Sequence, residues 1–326
     1  MSERIPRRAV IPGLLLALAA RPALAQERYP ARPITLVVPF PPGASTDLVG
    51  RPLGRRLSEA LGVPVVIENR AGAGGMLGSE YVARQRPDGY TLEIVLNATH
   101  GLISLFNRNV PYDPFRDFTY VVLAASAPTA FMAHPSVPAR NVAELLAHAR
   151  AHPENLQVGS SGVGSHHHLG TELLRQRTGL PFVHVPFRGG GEAMTSLVGG
   201  HVPLAFGTLS TALEAARNGQ IRILGLMDAE RATVAPDIPT ISETLEGYSA
   251  PSVLVGVVGP AGLPAPIVAR LNTAINEALA AEDLRSRLVE LGVQPLGGTP
   301  EAFRARFAED QERFRRIVDA AGIRPE

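Results

Sequence analysis

The residues best suited to bind a small anion follow the first apolar run of the chain. Residues 34–38 are apolar without helical spacing, which predicts a strand buried on both faces. Residues 48–61 have the amphipathic spacing of a helix. The candidate ligand-binding residues between them are Phe40, Pro42, Gly43, Ala44, Ser45, Thr46 and Asp47. Such a loop presents free N–H groups and the positive end of a helix dipole, which suits an anion; a tight turn without a ligand is the alternative.

A second loop of this kind follows a predicted strand at 156–159 and leads into a predicted helix at 169–178. Its candidate residues are Ser160, Ser161, Gly162, Gly164, Ser165 and His166. Two further strand ends add Arg188, which would supply positive potential or be solvated, and the pair Gly207 and Thr208. Ligands of open parallel sheets bind beyond the carboxyl ends of the strands. If both loops face one cleft, they form a clamp for a carboxylate that is built from neutral donors.

The predicted elements place these loops in two lobes of an α/β fold. Strands and helices alternate over 34–96 and again over 142–227, which predicts parallel-type sheets with right-handed crossovers. An apolar strand at 251–258 and helices at 265–281, 283–291 and 300–321 return to cover the first sheet. The predicted lobes are 26–125 with 250–326, and 126–249. Two crossings of the chain, near 119–133 and 248–258, predict a hinge beside the cleft.

Composition excludes several kinds of chemistry. The chain has 326 residues, 45% of them hydrophobic and 19% charged, which is typical of a globular protein. It has no Cys, so disulfides, thiolate catalysis and Cys-based metal sites are excluded. It has no Lys, which excludes a Schiff base and a Walker-type phosphate loop. The sequence shows no cluster of basic residues that would form a basic face, so we do not predict binding to nucleic acid.

The first 25 residues have the pattern of an export signal. Arg4, Arg7 and Arg8 precede an apolar run at 9–20, and residues 23–25 form a small-x-small cleavage site. Cleavage would change the formal net charge from +1 to −2 and leave a mature chain in the periplasm. The paired arginines favour the twin-arginine route, with general secretion as the alternative.

Taken together, these stretches resemble the Bug-type solute receptors of tripartite tricarboxylate transporters. The resemblance runs through YPARPITLVVPFPPGASTD (29–47), VVIENRAGAGG (65–75), RPDGYTL (86–92), VPYDPFRDF (110–118), HPSVPARNVAELL (134–146), GSSGVGSHHHLGTELL (159–174), VPFRGGGEAMTSLVGGHVPLAF (185–206), GLPAPIVARLN (262–272) and GGTPEAF (297–303). It implies a type II periplasmic binding-protein fold, with a small organic carboxylate held between the loops 40–47 and 159–166. It also implies a monomer without cofactors that delivers its ligand to membrane permease subunits.

The sequence departs from that family where the far end of a ligand would lie. Gly43-Ala44 replaces a usual Gly pair, Gly207-Thr208 replaces an acidic and an amide residue, and 249–252 lacks a frequent Trp. These departures leave the identity of the carboxylate open.

Three other functions match the sequence poorly, and a fourth remains open. The glycines of 72–75 lack the third glycine of a dinucleotide fingerprint. Three adjacent histidines, 166–168, point in different directions and have no carboxylate beside them, which argues against a metal site. No G-x-S-x-G elbow or His-acid pair accompanies the loop serines, so we predict no enzyme. A receptor that signals to a membrane sensor remains as the alternative to transport.

Overall fold

The computed structural model describes residues 29–248, 250–320 and 322. The predicted export signal at 1–25 and residue Ser249 lie outside the described residues. The strands are β1 (Ile34–Val38), β2 (Val65–Asn69), β3 (Thr91–Leu96), β4 (Phe118–Ala127), β5 (Thr129–Ala133), β6 (Gln157–Ser160), β7 (Val183–Pro186), β8 (Leu204–Thr208), β9 (Arg222–Leu226), β10 (Val253–Pro260) and β11 (Gln294–Pro295). The helices are α1 (Ser45–Leu61), α2 (Met76–Ala83), α3 (Ile103–Phe106), α4 (Val142–Ala151), α5 (His166–Thr178), α6 (Gly190–Val198), α7 (Leu209–Arg217), α8 (Ala265–Ala280), α9 (Glu282–Glu290) and α10 (Pro300–Ala320).

The strands form two sheets, one in each lobe. The first has the order β11-β4-β10-β3-β1-β2 and the second has the order β7-β6-β8-β5-β9. Both sheets are mixed, so the prediction of parallel-type sheets is correct only in part. β10 runs antiparallel to β3 and β4, and β5 runs antiparallel to β8 and β9.

The reversed directions of β5 and β10 have a common cause. β5 and β10 are each the first strand after the chain has crossed between the sheets. The chain leaves the first sheet at the carboxyl end of β4, so it enters the second sheet from the edge that faces the cleft. The entering strand must then run away from the cleft, opposite to its neighbours. Apolar content shows that such a strand exists, but its direction depends on where the crossing begins.

Both faces of the first sheet are covered by helices that carry apolar stripes. Leu53 of α1, Leu271 of α8 and Leu288 of α9 pack in one buried cluster with β1 and β3. Phe303 and Phe307 of α10 pack in another cluster on the opposite face. The C-terminal helices therefore cover the first sheet, as the sequence predicted.

The same long helix α10 reaches the second lobe. Its Phe314 and Val318 belong to a buried cluster that contains Leu169 of α5 and Phe131 of β5. Phe106 of α3 also lies in that cluster. The lobes are thus in contact across apolar side chains beside the cleft.

A single carboxylate links the two crossings. The backbone N–H of Thr129 donates to Asp228 Oδ2 over 3.0 Å, and Ser252 Oγ donates to Asp228 Oδ1. Thr129 begins β5, whereas Ser252 immediately precedes β10. The lobe boundaries at 125/126 and 249/250 remain a proposal. The chain changes sheet between β4 and β5 and between β9 and β10, and Ser126 and Ala127 at the end of β4 still pair in the first sheet. None of the helices in the described ranges has the length and apolar content needed to cross a membrane.

Candidate functional site

The first candidate loop turns sharply at a glycine and ends at the N-terminus of α1. Gly43 has φ +82°, a left-handed conformation that glycine adopts without steric cost. Ser45, Thr46 and Asp47 are of residue types that often cap helices, but the N-cap residue is Ala44. Asp47 lies in the first turn and is buried. Its carboxylate accepts hydrogen bonds from Gly43 N at 3.0 Å, Asn69 Nδ2 at 3.0 Å and Arg51 Nε at 2.8 Å.

These contacts decide the charge at the loop. Burial alone would raise the pKa of Asp47, but the hydrogen bonds from Arg51, Gly43 and Asn69 lower it below its usual value. The carboxylate of Asp47 is therefore ionised and supports the loop, and its hydrogen-bond donors offset its negative charge. Its negative charge is turned toward Arg51, so it does not oppose an anion at the front of the helix.

The second loop is held by its own serines. Ser165 is the N-cap residue of α5; its Oγ accepts from His168 N at 3.2 Å and donates to Gly162 O at 2.7 Å. The helix begins at His166, three residues before the predicted start, because the cap lies at Ser165. Ser160 is fully buried, and its Oγ lies 2.5 Å from His184 Nε2.

The two loops meet at one cleft between the lobes. Its inner chamber is lined by predicted and unpredicted residues together. The lining residues are Phe40, Ala44, Gly74, Leu96, Ala98, Ile103, Ser161, Val163, Gly164, Ser165, His166, His167, Gly190, Gly191, Thr208, Thr211 and Val253. Seven predicted residues are among them, namely Phe40, Ala44, Ser161, Gly164, Ser165, His166 and Thr208.

Four helix N-termini converge on this chamber. The N-cap residues Ala44 of α1, Ser165 of α5 and Thr208 of α7 line it, as do Gly190 and Gly191 at the start of α6. Each N-terminus carries a partial positive charge from its aligned peptide dipoles. The arrangement is therefore electropositive without a cationic side chain.

Several backbone donors in the chamber have no partner. Among the described residues, no hydrogen bond is made by the N–H groups of His166, His167, Gly190 or Gly191. The N–H of Leu209, the first residue of α7, instead donates to the carbonyl oxygen of Pro128 at 2.7 Å. The helices α5 and α6 thus provide the open donors of the second lobe.

Both histidines of the chamber are neutral. Burial lowers the pKa of His166 to about 3 and that of His167 to about 4. The ring of His166 lies edge-on to Phe314, with centroids 4.9 Å apart. His166 Nε2 and both ring nitrogens of His167 have no partner among the described atoms. Contact of His166 with a ligand remains a prediction, and the cap of its helix is Ser165.

An outer chamber adjoins the inner one and contains the predicted arginine. Gly74, Ile103, Ser161 and Val163 line both chambers, and Gly162 and Arg188 line only the outer one. The side chain of Arg188 is exposed. Arg188 therefore borders the entrance.

Other predicted residues do not line the inner chamber. Pro42 and Gly43 are exposed, whereas Thr46, Asp47, Ser160 and Gly207 are buried outside the lining. The structure leaves their contact with a ligand untested. The side chain of Ser45 is outside the description.

Sequence reasoning missed ten of the 17 lining residues, and five of them show why. Leu96 and Ile103 flank a π-helical turn (Ala98–Leu102) that follows β3, and Val253 begins the reversed strand β10. Gly190 and Gly191 form the start of α6. The glycines after Arg188 were the available signal, because glycines after a strand allow close approach to a helix N-terminus.

Two observations bear on the metal-site and enzyme alternatives. Among the described residues, no group of three or more His, Asp or Glu is arranged to hold a metal ion. Ser160 and His184 do form a serine–histidine contact that the sequence did not predict. Ser160 is 0% exposed and donates or accepts only within its own loop and with that ring, so a substrate does not reach it.

Comparison with known proteins assigns the family. Residues 49–323 match the model described as "Tripartite tricarboxylate transporter family receptor". The chain is 33% identical to Protein BugT of Bordetella pertussis over 314 residues, and this alignment covers 96% of each chain.

Two solved structures share the fold along most of the chain. "R. palustris Rpa4515 with adipate" superposes with a TM-score of 0.88 and 35% identity, covering 91% of this chain and 100% of that one. "MatC (Rpa3494) from Rhodopseudomonas palustris with bound malate" superposes with a TM-score of 0.82 and 34% identity, covering 89% and 100%. The two-lobed binding-protein fold and the Bug-type resemblance are thereby confirmed.

Proposed function

This chain belongs to the tripartite tricarboxylate transporter receptor family, and we propose that it captures a small organic carboxylate between its lobes and delivers it to a membrane permease. One observation carries the proposal: four helix N-termini converge on a chamber that no charged side chain lines. Adipate and malate, bound by two related proteins, are both carboxylates.

Physical chemistry explains why such a chamber suits a carboxylate. A helix N-terminus stabilises an anion by typically 0.3–1 kcal/mol, and by about 2 kcal/mol in partly buried sites. The free N–H groups of α5 and α6 supply hydrogen bonds that an anion strengthens. Because these donors are fixed by the backbone, they need little reorganisation when the ligand arrives.

The same features favour binding without catalysis. The chamber holds two neutral imidazoles, but no carboxylate lies beside them to orient a proton transfer. The serine–histidine contact beside the chamber, between Ser160 and His184, is buried behind the wall. We therefore propose a receptor that is not an enzyme, acts as a monomer in the periplasm and uses no cofactor.

A thermal-shift panel on the purified mature protein tests the proposal. Mono-, di- and tricarboxylates are compared with their amides and alcohols at equal concentration. A ligand that binds only the native state raises the melting temperature, so at least one carboxylate is expected to stabilise the protein. Stabilisation by a neutral analogue alone, or turnover of any ligand seen by mass spectrometry, would contradict it.

Delivery is tested in cells. Deletion of the gene should abolish uptake of the identified carboxylate, and the wild-type protein should restore it. Unchanged uptake in the deletion strain would remove the transport role while leaving the binding role intact.

A further inference from the structure

A histidine outside both chambers holds the second loop. Gly164, which lines the inner chamber, donates its backbone N–H to His168 Nδ1 over 3.3 Å. Because Nδ1 accepts this hydrogen bond, the proton of the neutral ring lies on Nε2, which is 3.8 Å from Glu172 Oε1. The side chain of His168 is 12% exposed. One neutral imidazole therefore satisfies a buried donor of the loop.

A second imidazole keeps His168 in this orientation. The ring of His184, on β7, stacks against that of His168 with centroids 3.9 Å apart and planes 14° apart. His184 Nε2 lies 2.5 Å from Ser160 Oγ, which accepts from the N–H of Gly162 at 3.1 Å. The stacked pair thus connects the first residues of the second loop, through His184, with Gly164, through His168.

The first lobe contributes a third ring to this cluster. Phe106, the last residue of α3, has its ring centroid 4.8 Å from that of His168. A Cβ atom at Gly164 would lie only 3.4 Å from Phe106 Cβ. His168 therefore lies where the second loop meets the opposite lobe, and its position depends on residues of both lobes.

The charged groups around His168 favour its neutral form. Burial lowers the pKa of His168 to about 4, and the positive charge of Arg175 acts in the same direction. The carboxylate of Glu172 is engaged by Arg175 Nη1 at 2.8 and 2.9 Å. Burial, and then the neighbouring His168, lower the pKa of His184 to about 3. At neutral pH both rings are thus uncharged, and Nδ1 of His168 is free to accept from Gly164.

Resting on the proposed function, we infer that His168 is a positioning residue of the binding site, which fixes Gly164 and thereby the loop that receives the carboxylate. It acts through the backbone and does not touch the ligand. The open N–H groups of His166 and His167 follow this loop directly, so their direction depends on where Gly164 is held. Donors that are held in place before the ligand arrives lose less entropy on binding.

Two substitutions separate the acceptor of His168 from its ring. His168→Asn keeps an acceptor oxygen close to the position of Nδ1 but removes the ring, whereas His168→Phe keeps a ring and removes the acceptor. His148→Phe is the matched control, because His148 packs on His152 with ring centroids 4.6 Å apart and lines neither chamber.

The first measurement needs no ligand. Hydrogen exchange of the Gly164 amide, followed by NMR on the mature protein, reports how firmly the loop is held. Protection should fall about tenfold in His168→Phe, because the buried N–H loses its acceptor, and should be largely retained in His168→Asn. The melting temperature should show the opposite order, because only His168→Phe retains the buried ring contacts with His184 and Phe106.

The second measurement is isothermal titration calorimetry with adipate, malate and the carboxylates of the thermal-shift panel. Affinity should follow the protection of Gly164: about tenfold weaker in His168→Phe, close to wild type in His168→Asn, and unchanged in His148→Phe. A residue that only stabilised the fold would give the reverse order, because affinity would then follow the melting temperature.

The contrary outcomes are distinct. Wild-type protection of the Gly164 amide in His168→Phe overturns the inference, as does an affinity that falls in His168→Asn but not in His168→Phe. Binding of no carboxylate by the wild-type protein overturns the proposed function, and the exchange of Gly164 still decides whether His168 holds the loop.

Discussion

Asp47 faces back toward Gly43, and the 3.0 Å hydrogen bond between Gly43 N and Asp47 Oδ2 closes the first loop onto its own helix. This contact explains how an acidic residue is accommodated beside an anion site. The carboxylate is engaged by the loop, by Asn69 and by Arg51, so the helix N-terminus remains electropositive toward the cleft.

Replacement of Asp47 should therefore destabilise the loop. Asp47→Ala leaves the N–H of Gly43 without its acceptor, at an expected cost of about 1–3 kcal/mol. Because the pKa of Asp47 is lowered in the folded protein, its stabilisation is present above the unfolded value of about 3.9 and is lost as the pH falls below it. Urea unfolding at pH 7 and at pH 3 measures both effects. An equal loss of stability at the two pH values would contradict the role of the ionised carboxylate.

Gly43→Val should weaken ligand binding through backbone strain. A Cβ atom at Gly43 meets nothing within 4 Å, so a side chain would have enough space. The obstacle to a side chain is the backbone conformation, with φ +82°. The left-handed conformation costs a side chain roughly 1–2 kcal/mol, and relief of that strain would move the loop. Gly62→Val is the matched control, because Gly62 ends the same helix with φ +71° and equally open space. Equal affinity in both variants would remove the first loop from the site.

The two serines of the second loop should separate binding from stability. Ser161→Ala removes a hydroxyl that lines both chambers, with an expected loss of about 0.5–1.5 kcal/mol in binding and little change in melting temperature. Ser165→Ala removes the cap of α5, with an expected loss of about 0.5–2 kcal/mol in stability. Calorimetric titration and thermal unfolding of both variants provide the comparison. Loss of stability rather than affinity in Ser161→Ala would assign that hydroxyl to the fold.

A buried glutamate should make the protein less stable as the pH rises toward about 8. Glu93 lies fully buried in β3, where burial raises its pKa to about 8 although the hydrogen bond from Ser79 opposes the shift. The folded protein thus holds a proton that the unfolded chain releases near pH 4.3, so stability falls as the pH rises from about 4 to 8. The expected loss is on the order of a few kcal/mol. Glu93→Gln should flatten this part of the profile; a variant that retains the wild-type slope would show that another group is responsible.

Asp228 should control closure of the lobes. It accepts from Thr129 at one crossing and from Ser252 at the other. Asp228→Ala removes both contacts and should loosen the connection, so that the radius of gyration without ligand increases. Ligand contact with both lobes should reduce the radius, by shifting the population toward the closed form. Small-angle scattering with and without ligand is the measurement, and Asp237→Ala, in the loop between β9 and β10, is the control. Identical scattering in all states would exclude the hinge.

The sequence by itself determined the elements and the chemistry of the loops. Apolar runs such as 34–38 and helical spacing such as 265–280 are local signals, because burial and periodicity are set by neighbouring residues. The small residues Gly43, Ala44, Gly164 and Ser165 likewise indicated that a helix follows each loop, although each helix begins three residues before its predicted start. Neutral donors at two such places were sufficient to predict an anion site.

Only the tertiary structure decided which of these groups share a chamber. The reversal of β5 and β10 follows from where the chain crosses, and it brings Val253 to the wall of the cleft. The direction of the Asp47 side chain follows from its contacts with Arg51 and Asn69. Asn69 belongs to β2, whereas Asp47 and Arg51 belong to α1. The apolar wall of Leu96, Ile103 and Val253 assembles from segments up to 157 residues apart (253 − 96), and local sequence patterns carry no information about such contacts.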